Sequence, residues 1–127
     1  MKANDISRTV IGCAIKVHKA LGPGLLESAY QKCMEYELKK QGLQFQAEKS
    51  MPLIYEDVQL NTGYRLDLLV ENLVVVELKS VEALTDVHRA QVITYLKLSE
   101  CKLGLLINFN VALLKLGVER IVNDFDE

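Results

Sequence analysis

The amino-acid sequence predicts one α/β domain, spanning residues 1–127, with the element order ααβββαββ and a mixed β-sheet. Apolar residues recur at helical spacing near the N-terminus. Three apolar runs with short connections follow, and such connections favour an antiparallel meander. A strand, a helix and a strand then extend from Leu73 to Phe109 as a β-α-β unit, for which we expect a right-handed crossover. A chain of 127 residues, half of them hydrophobic, is large enough to bury one core.

The overall charge and the cysteines narrow the classes of function only a little. The net charge of −2 is not that of a strongly basic nucleic-acid binder, so a phosphate-rich partner would need a local patch or a metal ion. Cys13, Cys33 and Cys101 are far apart and form no CxxC pair, which argues against a structural zinc site. No run of about 18 apolar residues or signal-peptide apolar region is present, and we expect a soluble cytoplasmic protein.

A first helix is predicted from Asn4 or Asp5, either of which can act as its N-cap, to Gly22-Pro23-Gly24. A second helix is predicted from about residue 25 to residue 40. Glu27 stands at its head and has two interpretations. With Gly24 as the N-cap, Glu27 would be the N3 residue stabilised by the free amides of the first turn; alternatively, it belongs to a functional site.

Three strands are predicted next, over residues 43–55, 58–70 and 73–80. Pro52 forces the first strand to an edge position or a bend, because proline has no N–H to donate. The second could be interrupted at Asn61-Thr62-Gly63, where Gly63 could mark a bulge. Thr85 or Asp86 is then expected to cap a third helix that ends near residue 99. Further strands are predicted over residues 102–109 and 118–122, with an acidic, frayed tail over residues 124–127.

Three charged residues interrupt the second and third apolar runs. Asp67, Glu77 and Lys79 lie in strands whose composition predicts burial on both faces. Glu77 and Lys79 are two residues apart and project from the same face. Asp67 shares that face only if the connecting loop has three residues, through Leu73, or contains one bulge. We predict such a loop, because two carboxylates and an ammonium group then meet at one point.

Two neighbouring carboxylates repel each other and favour a divalent cation, and their oxygen ligands suit Mg²⁺ or Mn²⁺. Lys79 beside them could hold an attacking water or stabilise negative charge on a phosphoryl group. An alternative remains open from the residues alone. The same charges could form a buried Asp–Lys or Glu–Lys ion pair that only holds the hairpin together.

The spacing of these residues resembles a known signature. Asp67, nine intervening residues and then Glu77-Leu78-Lys79 are similar to the D…(D/E)xK signature of the PD-(D/E)XK nuclease superfamily, with Leu66 in place of the usual proline. The segment GLLESAY, residues 24–30, resembles the motif of the GxxExxY family, a small single-domain branch of that superfamily. The segment QVITY, residues 91–95, resembles the QxxxY element of its exonuclease-like branch. The resemblance implies a restriction-endonuclease-like fold.

The resemblance also implies roles for individual residues. The implied metal ligands are Glu27, Asp67, Glu77 and the backbone carbonyl of Leu78. Lys79 would position or activate the attacking water. Gln91 and Tyr95 would line the site from the third helix. Tyr30 has a second interpretation, packing under the site as a core residue, and this is the one we favour.

The implied activity is Mg²⁺- or Mn²⁺-dependent hydrolysis of phosphodiester bonds in nucleic acid, with DNA favoured over RNA. The alternative is a catalytically silent binding or regulatory module on the same fold, which the minimal chain and its slight negative charge favour. A weaker option is hydrolysis of a smaller phosphodiester. Lys49, Arg65 and Arg89 could meet the substrate backbone. A homodimer is a further expectation, because so small a domain offers little surface to hold a duplex.

Overall fold

The computed structural model describes residues 2–61 and 64–123. The elements of these ranges are α1 (Ala3–Leu21), α2 (Glu27–Lys40), β1 (Phe45–Ser50), β2 (Leu53–Tyr55), β3 (Val58–Leu60), β4 (Arg65–Val70), β5 (Val74–Lys79), α3 (Asp86–Ser99), β6 (Leu103–Asn108), a 3₁₀ turn (Leu114–Gly117) and β7 (Val118–Val122). None of the helices in these ranges is long and apolar enough to cross a membrane. The bulge predicted at Gly63 and the tail predicted over residues 124–127 lie outside the described residues.

A five-stranded sheet in the order β1-β4-β5-β6-β7 forms the centre of the molecule. Its neighbouring strands are antiparallel except for β5 and β6, which are parallel and are joined through α3. The predicted mixed sheet, with a meander and a β-α-β unit, is therefore confirmed.

Two of the three early strands divide; the sequence indicated an interruption of the second strand at residues 61–63, but for the first strand only a bend or an edge position at Pro52. Residues 43–55 become β1 and β2, and residues 58–70 become β3 and β4. Pro52 lies at the first break, where its missing N–H removes a ladder hydrogen bond. As a result β2 and β3 form a separate antiparallel hairpin instead of extending the main sheet. The order ααβββαββ describes the main sheet, into which this hairpin is inserted.

The apolar residues form one core cluster on each side of the sheet. The cluster under α1 and α2 takes Leu68, Val70, Val74, Val76 and Leu78 from the central strands. The cluster under α3 takes Leu66, Leu69, Val75 and Leu106. Side chains alternate between faces along a strand, so Leu66 should share a side with Leu68. It lies on the opposite side, which places an irregularity in β4 at Asp67.

The start of α1 differs from the prediction. The N-cap is Lys2, and Asn4 and Asp5 lie within the first turn, so the expected caps were wrong. Ala3 packs against the core, and the helix begins two or three residues earlier than either expected cap would allow. The side-chain oxygen of Asn4 accepts a hydrogen bond from Arg120 instead of capping the helix.

The third helix is capped as predicted and packs closely on the sheet. The hydroxyl of Thr85 accepts a hydrogen bond from the His88 amide at 3.4 Å, and Nδ1 of His88 accepts one from the Thr85 amide at 3.1 Å. A Cβ atom at Gly104 in β6 would lie 2.9 Å from a methyl group of Val92 in α3. The absence of that atom allows the helix to approach the strand.

Candidate functional site at the β4–β5 hairpin

The loop between β4 and β5 has three residues, as predicted. Val70 pairs with Val74, which leaves Glu71–Leu73 in the loop. The backbone pairing ends at Leu68 with Val76, and one further step of the same register sets Asp67 opposite Glu77. Both carboxyl-bearing residues therefore belong to the same face of the sheet, on the side of α3.

The loop holds two non-glycine residues in the left-handed region, Glu71 at φ 54° and Asn72 at φ 57°. Such a conformation is unfavourable for a residue with a side chain. Two hydrogen bonds to Gln44 offset this cost. The amide of Glu71 donates to the carbonyl of Gln44 at 2.9 Å, and the amide of Gln44 donates to Oε2 of Glu71 at 2.7 Å. The odd-numbered loop is thus fixed in place by its own side chain.

Next to the site, the backbone–backbone hydrogen bonds between β4 and β5 give way to hydrogen bonds from backbone amides to the two carboxyl groups. The amide of Asp67 donates to Oε1 of Glu77 at 3.0 Å, and the amide of Leu78 donates to Oδ2 of Asp67 at 2.8 Å. Each carboxyl uses one oxygen to accept a backbone hydrogen bond and keeps its second oxygen for other partners. The arrangement holds both side chains in a fixed orientation.

Burial, together with nearby negative charge, makes this pair hard to ionise. Glu77 is only 3% exposed, and burial, followed by the negative charge of Asp67, raises its pKa to about 8. Burial also raises the pKa of Asp67, and the charge of Glu27 adds to that increase. The Leu78 amide and the Lys79 ammonium act in the opposite direction. One proton shared between two carboxyls is the expected state near neutral pH when no cation is bound.

Two side chains of α3 complete the surroundings of the pair. The ammonium of Lys79 donates to Oε1 of Gln91 at 3.3 Å. Tyr95 is buried, and burial together with the charges of Glu77 and Asp67 raises its pKa to about 12. Tyr95 therefore keeps its phenolic proton and can donate a hydrogen bond.

Glu27 lies at the rim of this group. It is the first residue of α2, with Leu26 as the N-cap, so the capping interpretation, with Gly24 as N-cap and Glu27 at N3, is wrong. The Glu27 side chain is exposed, although its charge acts on Asp67. Over residues 2–61 and 64–123, no three His, Cys, Asp or Glu side chains lie close enough to hold a metal ion. The set of four metal ligands thus remains a prediction.

Comparison with protein families decides the relationship of the chain. A model of the PD-(D/E)XK nuclease superfamily matches residues 4–121. The chain belongs to the PD-(D/E)XK nuclease superfamily. Searches among curated proteins and among solved structures gave no match. Membership supports nuclease activity on a nucleic-acid substrate, and nucleases of this superfamily typically use divalent metal ions.

The Asp67–Glu77 pair offers the oxygen ligands that a divalent cation would need in a nuclease of this superfamily. Burial raises the pKa values of both carboxyls; the charge of Asp67 adds to the increase at Glu77, and the charge of Glu27 adds to it at Asp67, so the pair lacks positive charge in its surroundings. The ammonium of Lys79 offsets only part of this deficit, and a cation would displace the shared proton. Oxygen donors alone suit Mg²⁺ or Mn²⁺.

Tyr30, in the segment that resembles the GxxExxY motif, is a core residue, as we favoured. It is fully buried and stacks on Phe109, with the ring centroids 4.3 Å apart. Its hydroxyl also donates to the carbonyl of Gly22 at 2.6 Å and accepts from the amide of Leu25 at 3.1 Å. The sequence did not indicate this second task.

Sequence reasoning also missed three polar residues beside the superfamily site. The hydroxyl of Ser80 donates to the Leu25 carbonyl at 2.6 Å, and Nε2 of Gln31 donates to the Asp67 carbonyl at 3.3 Å. Buried Asn108 accepts from the amide of Val81 at 3.1 Å and so holds the chain just after β5. Position was the available signal, because Ser80 directly follows Lys79 and Gln31 lies one helical turn after Glu27.

The three basic residues expected to meet a substrate each have a protein partner. Arg89 donates to both carboxylate oxygens of Glu119, at 2.7 and 2.9 Å, and so ties α3 to β7. Arg65 pairs with Glu48 at 3.0 Å. Lys49 donates to the side chain of Gln46 at 2.8 Å. A nucleic acid would compete with these partners.

Proposed function

We propose that this protein is a nuclease of the GxxExxY branch that requires Mg²⁺ or Mn²⁺ and hydrolyses phosphodiester bonds, with DNA favoured over RNA. The observation that carries the proposal is the pair formed by half-buried Asp67 and buried Glu77 beside Lys79, in a chain that belongs to a nuclease superfamily. Asp67, Glu77 and the carbonyl of Leu78 would hold the cation. Glu27 would contribute directly or through a water molecule.

When bound, the cation would lower the pKa of a water molecule and stabilise negative charge on a phosphate oxygen. The chain's own groups would orient the reactants. Gln91 holds the ammonium of Lys79 through one hydrogen bond, at the position from which Lys79 would position or activate the attacking water. Protonated Tyr95 would donate a hydrogen bond to that water or to the substrate backbone. Positioning of this kind accounts for a large share of the acceleration in phosphoryl transfer.

The test is a cleavage assay on single- and double-stranded DNA and RNA, with Mg²⁺, with Mn²⁺ and with chelator. We expect cleavage that needs the metal and falls by about 10²-fold or more in Glu77→Ala and Lys79→Ala. Lys97→Ala, at an exposed position of the same α3, serves as the control and should cleave normally. Cleavage that survives both site substitutions would come from a contaminant and would refute the nuclease proposal.

A catalytically silent binding or regulatory module is the second candidate. Two observations favour it: the slightly negative net charge, and the protein partners already held by Arg65, Arg89 and Lys49. Metal binding that is retained without cleavage of any of the four substrates would support this candidate over the nuclease.

We also propose that the protein forms a homodimer through the β2–β3 hairpin. The register pairs Leu53 with Leu60 and Tyr55 with Val58, which places four apolar side chains on one face. Tyr55 is 66% and Val58 54% exposed. Residues 53–60 contain no lysine or arginine and carry two acidic residues at the turn, so phosphate is a poor partner for this face. The same face of a second copy would match it. Sedimentation that shows only monomer at working concentration would contradict the dimer.

A further inference from the structure

We propose that Tyr30 and Ser80 are positioning residues that hold Glu27 at the site. The two hydroxyls grip the backbone of Leu25, two residues before Glu27, and so set where α2 begins. The inference rests on the proposed function, because it concerns the carboxyl that we propose as a further ligand of the cation. It adds a means of fixing Glu27, which of the three proposed carboxyl ligands is the one outside the β4–β5 hairpin.

Leu25 is held through both of its backbone polar groups. Its amide donates to the hydroxyl of Tyr30 at 3.1 Å, and its carbonyl accepts from the hydroxyl of Ser80 at 2.6 Å. The Tyr30 hydroxyl donates in turn to the carbonyl of Gly22 at 2.6 Å. The connection between α1 and α2 is therefore tied to the interior of α2 and to the end of β5.

The segment that leads to Glu27 has little burial of its own. Gly22 and Gly24 both have positive φ, at 72° and 98°. Leu25 and Leu26 are exposed, and no side chain caps α2 at Leu26. Helix ends with exposed backbone and few apolar contacts open easily. The hydrogen bonds from the hydroxyls of Tyr30 and Ser80 should therefore limit the motion of the backbone at Glu27.

Both hydroxyls are anchored on the framework that carries Lys79. Ser80 follows Lys79 directly. Phe109, on which the Tyr30 ring stacks, donates its amide to the carbonyl of Lys79 at 2.9 Å. These contacts form a closed path. It runs from Glu27 along α2 to Tyr30, then through Phe109 to Lys79 and Ser80, and Ser80 binds Leu25, two residues before Glu27. This closed path fixes the place of Glu27 relative to the β5 end of the site.

The aromatic ring and the hydroxyl of Tyr30 can be separated experimentally. Tyr30→Phe keeps the stacking on Phe109 and removes both hydrogen bonds. Ser80→Ala removes the other half of the grip, and Ser80→Thr restores a hydroxyl. Ser28→Ala, at an exposed serine in the first turn of the same α2, is the matched control.

The closing experiment is a double-mutant cycle on Mn²⁺ affinity, measured by titration without any substrate. Ser80→Ala and Tyr30→Phe should each weaken Mn²⁺ binding by about 10-fold, the usual size of an effect that acts through a ligand's supporting groups. In a Glu27→Gln background the same changes should have no further effect, because Glu27 is then no longer there to be positioned. Ser80→Thr should restore affinity, and Ser28→Ala should leave it unchanged. Equal weakening in both backgrounds would overturn the inference, as would no weakening in either.

Hydrogen exchange gives a second measurement that needs no metal. The amides of residues 25–29 should exchange about 10-fold faster in Ser80→Ala and Tyr30→Phe than in the wild type and Ser28→Ala. Unchanged exchange would overturn the inference. If the Mn²⁺ titrations show the expected dependence on Glu27 but the protein cleaves no nucleic acid, the nuclease proposal is refuted and the inference stands. Faster exchange without any Mn²⁺ binding by the wild type would refute the metal site and leave the positioning of Glu27.

Discussion

The two hairpins of this chain depart in opposite ways from the usual rule that charged side chains are exposed and apolar side chains are buried. The β4–β5 hairpin places two carboxyls, half-buried Asp67 and buried Glu77, between apolar strands. The β2–β3 hairpin exposes apolar side chains, including Tyr55 and Val58, to solvent. Both turns contain a glutamate in the left-handed region, so turn chemistry does not distinguish the hairpins. Their surroundings do.

The strands β4 and β5 have six residues each and are flanked on both sides by β1 and β6. The strands β2 and β3 have three residues each and, within residues 2–61 and 64–123, pair with each other alone. A solitary hairpin of that size is marginally stable in water. The inward-facing carboxyls therefore lie in β4–β5, where neighbouring strands can hold a precise geometry. The exposed apolar side chains lie in β2–β3, which is held less firmly. This contrast suits chemistry at one hairpin and association at the other.

The largest expected effect compares a core residue of one hairpin with an exposed residue of the other. Leu68→Ala in β4 should lower the free energy of unfolding by about 2–5 kcal/mol, because Leu68 is fully buried. Ile54→Ala in β2 should change it by about 0.5 kcal/mol or less. Urea unfolding of both variants measures the difference. Equal losses would show that β2–β3 is as integral to the fold as β4–β5.

An effect of comparable size is expected in the pH dependence of stability, measured with chelator present so that no metal ion is bound to the carboxyls. Because the folded-state pKa of Glu77 is raised to about 8, the folded protein holds its proton more tightly than the unfolded chain. Stability should then fall as the pH rises from about 4.5 to about 8, by an amount on the order of 5 kcal/mol. Glu77→Gln should flatten this dependence, since an amide can imitate the protonated acid.

Thermal unfolding of the wild type and Glu77→Gln across this pH range provides the measurement. Ala47→Ser, a neutral exchange at an exposed position of β1, is a control that should follow the wild type. A wild-type curve that stays level through this range would show that Glu77 is not destabilised by burial and by Asp67.

The smallest expected effect on stability is at the exposed face of β2–β3. The double variant Tyr55→Ser, Val58→Ser should change the free energy of unfolding by about 0.5 kcal/mol or less. The same variant should abolish the proposed dimer, which sedimentation velocity would detect. A dimer that persists in this variant would place the contact elsewhere.

The residues of the main sheet made much of this fold predictable. Apolar runs with short connections were sufficient for β4, β5 and β6, and strand alternation alone required an odd loop before Asp67 could meet Glu77. The division at Pro52 was harder to predict, because it depends on which strands β1 and β4 pair with. The Ser80–Leu25 contact joins residues 55 positions apart, and no local pattern contains such information. The error at Asn4 arose similarly, because its true partner is Arg120, far along the chain.

The three-residue loop at Glu71–Leu73 has a consequence for insertions and deletions. Side chains change sides with every residue, so adding or removing one residue within a strand, between Asp67 and Val70 or between Val74 and Glu77, would turn Asp67 away from Glu77. A residue added within the loop itself leaves Val70 paired with Val74 and only lengthens the turn. In related chains these two strand segments should therefore keep their lengths more strictly than the loop between them.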